Sequence, residues 1–391
     1  MNIPALIFIF IFTAIYGAVN FYIGRRIYQG ISFISPNINT AIYAAVFIFI
    51  ALSLFIGLMP FPIAARRLFF WISSYWIGIS VYLLMFFLAG DIVLFFGRII
   101  SANPLPHSVR FFAAVAVVLL TAIVVIYGRY NANQIHHVHH EIQTRTAAFP
   151  DTFIGAEGRD SSPDGLRIVL VSDLHLGAVN SERNLARMVQ GINKLEPDIV
   201  CIVGDIFNDD IELIRNPARA IELLRSINAT YGVYASLGNH DGGRTFNEML
   251  RFLEKSNITV LKDEHTVIGE RFVLIGRLDS SPIGGFGGLQ RKATADILAS
   301  VDTNLPIVVM DHNPAYIKEY GSEVDLILSG HTHGGQIFPF TLVTRAMYYV
   351  HHGHFQKNAY SPHVIVTSGV NTWGMPLRIG SNNEIVSILL R

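Results

Sequence analysis

Four long apolar runs fill the first third of the chain: Ile3–Ile23, Ala41–Met59, Leu68–Phe96 and Phe111–Tyr127. Each is near or above the ~18–20 residues that a helix needs to cross a hydrocarbon core of about 30 Å. Four in succession predict four transmembrane helices rather than buried core helices. The first run lacks the basic n-region and short h-region of a cleavable signal. Arg25, Arg26, Arg66, Arg67, Arg98, Arg110 and Arg129 stand at or near the run ends, where guanidinium groups snorkel to lipid phosphates. Trp71, Tyr75 and Trp76 near one end of the third run fit an interfacial aromatic belt. Asp91 falls late in that run, as either a buried polar site or a residue near the membrane surface. Four crossings put the amino terminus and everything after Tyr127 on one side. The positive-inside count ties, four arginines on each face. Arg25-Arg26 at the trailing end of the first run tips the expectation toward an extracytoplasmic soluble part.

The pattern changes at about residue 131. Residues 131–165 read as a linker. Within it Ile135–Ile142 alternates partly at period two, as a strand does. Its four histidines, His136, His137, His139 and His140, suggest either a metal tract or polar side chains facing solvent; a tract alone has no fixed ligand geometry. Gly155–Gly165 is rich in Gly, Asp, Ser and Pro and reads as an exposed loop. From Leu166 strands alternate with helices. Strands are predicted at Arg167–Ser172, Asp198–Val203 and Tyr231–Ser236. Helices are predicted at Glu182–Leu195, capped by Asn180 or Ser181, at Ile211–Ile227, interrupted early by Pro217, and at Phe246–Lys255. Strands alone follow at Arg271–Ile275, Pro306–Met310, Asp325–Leu328, His363–Thr367 and Glu384–Leu390. Alternation first and strands later predict a layered α/β sandwich of mixed sheets flanked by helices over residues 166–391.

Composition sharpens this division. With 51% apolar and 15% charged residues and a mean hydropathy of +0.42, the chain is neither disordered nor an average soluble protein. The formal net charge of zero hides an asymmetry. Residues 1–130 hold seven arginines, no lysine and one acid, a net +6, so the remainder carries −6. An acidic soluble part offers no basic groove, and no nucleic-acid partner is expected. The single cysteine, Cys201, excludes an intramolecular disulfide framework.

The candidate chemistry is positional. Five polar clusters each follow directly on an apolar strand: Asp173-Leu174-His175, Gly204-Asp205, Gly238-Asn239-His240-Asp241, Asp311-His312-Asn313 and Gly330-His331-Thr332-His333. Functional groups gather at the carboxyl ends of strands in α/β sheets, so these segments are expected to converge on one rim. Carboxylates, an amide oxygen and imidazoles are donors for Mn²⁺, Fe or Zn²⁺. Two such ions ~3.5–4 Å apart can clamp a phosphate and activate a water.

These blocks resemble the calcineurin-like metallophosphoesterase superfamily, over about Arg167 to Leu390. Asp173-Leu174-His175-Leu176-Gly177, Ser329-Gly330-His331-Thr332-His333-Gly334-Gly335-Gln336 and Ser368-Gly369-Val370-Asn371-Thr372-Trp373-Gly374 look like its membrane-associated and exported subgroup. That subgroup resembles both small soluble phosphodiesterases and a type of UDP-2,3-diacylglucosamine diphosphatase. The resemblance implies that Asp173, His175 and His333 bind one divalent ion, that Asn239, His312 and His331 bind a second, and that Asp205 bridges them. The ions would be Mn²⁺, with Zn²⁺, Fe or Mg²⁺ as alternatives. It implies a bridging hydroxide as nucleophile and His240 as acid or transition-state stabiliser. Phosphoprotein phosphatases carry an Asp where this chain has Asn208, followed by Asp209 and Asp210. The partner that orients His240 is therefore open between Asn208 and Asp241.

The expected function is a membrane-bound phosphodiesterase or diphosphatase acting on an amphiphilic, lipid-linked phosphate, with membrane lipids as partners. The alternatives are a hydrolase of soluble diesters or nucleic acid merely tethered to the membrane, and a non-catalytic membrane binding protein. The glycine-rich loop Ser280–Leu289 is a lid or a plain connection; it lacks the Lys-Ser/Thr of a P-loop. Tyr348, Tyr349 and Phe355, with His351, His352 and His354 among them, form a lip facing headgroups or pack as an ordinary loop.

Overall fold

A computed structural model describes residues 3–101, 106–145, 165–180, 182–208 and 210–391. The chain divides into two compact units, Met1–Arg129 and Tyr130–Arg391. The loop expected at 155–164, the candidate cap Ser181 and Asp209 lie outside the described residues.

The first unit is helical: α1 (Ile3–Ile34), α2 (Thr40–Leu58), α3 (Ile63–Ser101) and α4 (His107–Asn131). Three spans, Thr40–Leu58, Ile63–Ile100 and Ser108–Asn131, are long and apolar enough to cross a membrane. Their apolar side chains point outward: only 17%, 22% and 11% of the three most apolar windows is buried. Water would penalise such a surface and lipid does not. A small inner cluster of Ile23, Leu83, Phe87 and Val117 joins α1, α3 and α4. Asn39 caps α2, its Oδ1 accepting from Ala41 N at 3.0 Å.

The second unit stacks two six-stranded sheets. The first contains β1 (Ile135–Ile142), β2 (Leu166–Val171), β3 (Ile199–Val203), β4 (Val233–Ser236), β5 (Ile258–Val260) and β12 (Asn383–Leu390), in the order β1-β12-β2-β3-β4-β5. β12 runs antiparallel to β2 and all its other pairings are parallel. The second contains β6 (Glu264–Ile268), β7 (Phe272–Gly276), β8 (Ile307–Met310), β9 (Leu326–Ser329), β10 (Gly353–Phe355) and β11 (His363–Val366), in the order β10-β11-β9-β8-β7-β6. Its central four strands are parallel.

The strands read as unbroken apolar runs because both faces are covered. Ile168 and Leu170 of β2 point into the core between the sheets; Val169 and Val171 point the other way. That outer face is covered by α5 (Glu182–Lys194), α6 (Pro217–Arg225) and α7 (Phe246–Lys255). Two short helices, α8 (Thr294–Leu298) and α9 (Phe340–Met347), complete the unit.

Two expectations change. The segment 131–165, separated as a linker, contains β1, which pairs with β12 over its full length. That edge position explains its half-polar alternation: His136, His137 and His139 face solvent. The helix expected over Ile211–Ile227 is a 3₁₀ turn, Ile211–Leu213, followed by α6. Pro217 begins α6 instead of interrupting a longer helix, and Asn216 Oδ1 caps it by accepting from Arg219 N at 3.1 Å.

Candidate metal centre

The five polar clusters meet at the carboxyl ends of β2, β3 and β4 of one sheet and β8 and β9 of the other. The loops turn so sharply that Asp173, His175, Asp205, His331 and His333 all adopt positive φ, between 43° and 69°. Such backbone costs of order 1–3 kcal/mol per non-glycine residue, and here five instances lie on one rim. Gly204 shows how tightly the loops pack. A Cβ there would sit 2.6 Å from His312 Cγ and 2.8 Å from Gly238 Cα.

Two groups of donor atoms result. Asp173, His175 and His333 offer atoms within 4.8 Å of one another, and so do Asp205, His312 and His331. In the first, His333 Nε2 is 3.1 Å from His175 Nε2 and 3.3 Å from Asp173 Oδ1. In the second, His312 Nε2 is 3.2 Å from Asp205 Oδ2. The same Oδ2 lies 3.7 Å from His175 Nε2, so Asp205 stands between the groups. Among the described residues these are the two sets of His, Cys, Asp and Glu whose donors converge in this way. The histidines of β1 form no such set.

The donors fit a metal better than they fit one another. Asp173 Oδ1 and Asn239 Oδ1 are buried without a hydrogen-bond partner. Leaving buried polar atoms unpaired is costly, and a cation would satisfy them. The outward atoms are already held. His312 Nδ1 donates to Val203 O at 2.8 Å, which presents Nε2 to the site. Asp173 Oδ2 accepts from His331 N at 3.1 Å and from the Ser172 hydroxyl.

Charge follows the same logic. Burial pushes His175 down to about 3 and His331 down to about 4. Burial and Arg378 hold His333 well below the usual range. All three imidazoles are neutral and ready to ligate. Burial also opposes charge on His312, but Asp205, helped by Asp173 and Asp279, keeps it well above the usual histidine value. A proton on His312 Nε2 therefore stands where a cation would. Metal binding at neutral pH is expected to release roughly one proton per protein. Affinity should fall as the pH is lowered, because the proton competes. Calorimetry in buffers of different ionisation enthalpy measures this, and zero release would contradict it.

His240 lies beside these groups, its ring 5.2 Å edge-on from His175. Its Nδ1 donates to the backbone carbonyl of Asn208 at 2.7 Å. Nε2 is then the nitrogen that can give or take a proton. Asn208 thus orients His240 through its main chain, and the missing carboxylate is replaced by a carbonyl. Asp241 does something else. Its Oδ1 accepts from Ile206 N and Phe207 N at 2.8 and 2.9 Å, and its Oδ2 accepts from Gly238 N at 2.8 Å. It ties two site loops together, while burial beside Asp205 pushes its carboxyl up to about 7. Asp210, two residues after Asn208, pairs with exposed Arg244 at 2.8 Å.

The glycine-rich loop is seated against the His240 turn. Ile283 N donates to Asn239 O at 2.8 Å and Gly243 N to Gly285 O at 2.7 Å. Phe286 anchors it in the core. On the expected lip, Tyr349 packs edge-on against Phe355 with centroids 5.2 Å apart. Tyr348, of the same lip, lies 6.0 Å from His331, and Trp373 lies 5.8 Å from His240.

Sequence reasoning missed Arg378. It is fully buried, and it donates to the carbonyls of His333, Ser368 and Asn371 and to Asn383 Oδ1, at 2.5–2.7 Å. Burial lowers its pKa to about 10. The one available signal was a lone charge inside the apolar stretch Met375–Ile379. Arg378→Leu would strand several buried acceptors. It is expected to lower stability by about 3 kcal/mol or more, read as a depressed unfolding midpoint; an unchanged midpoint would contradict this role.

Two stacked mixed sheets with paired Asp/His groups at their carboxyl rim define a metal-dependent phosphoester hydrolase. A family model described as calcineurin-like phosphoesterase matches residues 166–335. A zebrafish (Danio rerio) transmembrane protein with metallophosphoesterase domain is 30% identical over 81% of this chain and 72% of its own length. An uncharacterized metallophosphoesterase of Campylobacter jejuni is 29% identical over 99% of this chain and 98% of its own. One from Aquifex aeolicus is 30% identical over 58% of this chain and 85% of its own. The chain belongs to the calcineurin-like metallophosphoesterase family.

Proposed function

We propose that the protein is a two-metal phosphoester hydrolase held in the membrane by four crossings, α1 included, and that it acts on an amphiphilic phosphodiester or diphosphate. The observation that carries this reading is the Asp205 carboxylate between two groups of converging donors. Asp173, His175 and His333 would hold one divalent ion; Asn239, His312 and His331 would hold the other. Mn²⁺ suits this mix of carboxylate, amide and imidazole donors. Such ions would supply Lewis-acid polarisation of the phosphoryl oxygen and activation of a water. The chain's own part is positional. Val203 O and Asn208 O orient the imidazoles of His312 and His240, and His240 protonates the leaving oxygen from Nε2. Trp373 and Tyr348 bound the substrate mouth.

Support for an amphiphilic substrate comes from α9, which follows the His331–Gly335 loop. It has no buried residue, and Leu342 and Met347 are 56% and 69% exposed. Phe340 and Val343 add to this face. An apolar helix surface beside a phosphate site suits a lipid interface.

The test is hydrolysis by the full chain in liposomes with Mn²⁺, over phosphomonoesters, soluble diesters and lipid diphosphates. Lipid phosphoesters are expected to be the preferred class. A wide preference for a water-soluble diester would defeat the amphiphile reading and leave the hydrolase.

A further inference from the structure

The helical unit carries an open-sided cavity of about 710 Å³ lined by α1, α3 and α4. Its wall carries Arg25 and Arg26 from α1, Arg98 from α3 and Arg110 from α4, against a single acid, Asp91. Asp91 is already committed: it pairs with Arg26 and accepts from the Tyr22 hydroxyl at 2.7 Å. Arg25, Arg98 and Arg110 form no ion pair among the described residues. Three exposed arginines from three helices, none in an ion pair, therefore line one space. Like charges gathered this way repel, and an anion seated between them would relieve that repulsion. Apart from Gln29 and Ser32, the remaining wall is apolar: Phe33 and Phe111 stack with centroids 4.6 Å apart. Gly90, without a side chain, leaves the space open.

Depth identifies the anion. At 1.5 Å per residue, Arg67 and Arg98 on α3 are about 46 Å apart. That matches the ~40–45 Å between the two headgroup layers of a bilayer. With all four helices crossing, the α1–α2 and α3–α4 connections share one face. Arg25, Arg26, Arg98 and Arg110 then lie at headgroup level there, with Arg66 and Arg67 at the other. Guanidinium groups match phosphate oxygens in pairs, and the aromatic wall suits the adjoining acyl chains.

We propose that this cavity binds the phosphate headgroup of an anionic phospholipid, as a lipid site built from the helical unit alone. It rests on the reading that the helices span the membrane.

The probe is fluorescent phosphatidylglycerol, compared with fluorescent phosphatidylcholine, titrated onto delipidated full-length protein. Wild type is expected to prefer phosphatidylglycerol by at least about tenfold. R25Q/R98Q/R110Q should lose that preference. R66Q/R67Q, which removes charge from the other face, should keep it. G90L, which fills the cavity without changing charge, should also lose it and serves if the triple variant misfolds. Hydrolysis of a soluble diester should be unchanged in all three variants. Equal affinity for the two lipids, equal loss in the triple and R66Q/R67Q variants, or full competition by glycerol phosphate would overturn the proposal. Release of the protein from vesicles by an alkaline wash would instead overturn the membrane-spanning reading itself.

Discussion

Asp205→Ala is expected to reduce turnover by at least about 10³-fold, because a metal-assisted step draws several kcal/mol from its ions and each 1.36 kcal/mol is about tenfold. Asp205 stands between the two groups: its Oδ2 lies 3.2 Å from His312 Nε2 and 3.7 Å from His175 Nε2. Its loss strips a donor from both groups. It also removes the acceptor that Oδ1 offers to His240 N at 2.9 Å, loosening the His240 turn. The measurement is turnover with excess Mn²⁺, together with metal content after dialysis. Near-wild-type turnover would sink the two-metal model. Lost turnover with full metal content would show that Asp205 acts on geometry rather than on ion binding.

His240→Ala should keep its metal content yet lose roughly 10²–10⁴-fold in turnover on an ester with a poor leaving group. The ring is half-buried and its Nδ1 is held by the Asn208 carbonyl. Nε2 must be protonated for the residue to act as an acid. With an activated aryl leaving group, which departs without a proton, the loss should shrink. Loss of a metal equivalent would make His240 a ligand. An equal loss on both esters would make it an electrostatic stabiliser and no proton donor.

The ligand candidates were legible because metal chemistry restricts residue type so severely. Asp173, His175, Asp205, Asn239, His312, His331 and His333 each follow an apolar strand, and hard or borderline donors directly after buried strands have few structural uses. The structure then brings six of the seven together as two converging sets. Asn239 contributes a buried, unpartnered Oδ1. The partner of His240 was not legible, because a backbone carbonyl has no sequence signature. Asp241 looked suitable as the adjacent carboxylate, but its oxygens satisfy three loop N–H groups. Arg378 was invisible for a related reason. It acts on carbonyls of residues up to 45 positions away, and nothing in its neighbours announces them.

The sheet shows the same division. Hydrophobic period and turn residues are local, so β2, β3, α5 and α7 could be read from the chain with small errors at their ends. β5, β6 and β10 could not. They are three to five residues long and, unlike the wholly apolar β3, are partly polar; they exist because a neighbouring strand supplies hydrogen bonds. The place of β1 beside β12, nearly 250 residues on, belongs to that class too. So does the cavity among Arg25, Arg98 and Arg110: each arginine alone reads as a snorkelling helix end. Composition and order along the chain sufficed for the apolar helices, the α/β alternation and the types of the candidate donors. Which side chains face each other required the fold, because those contacts join residues with no local constraint between them.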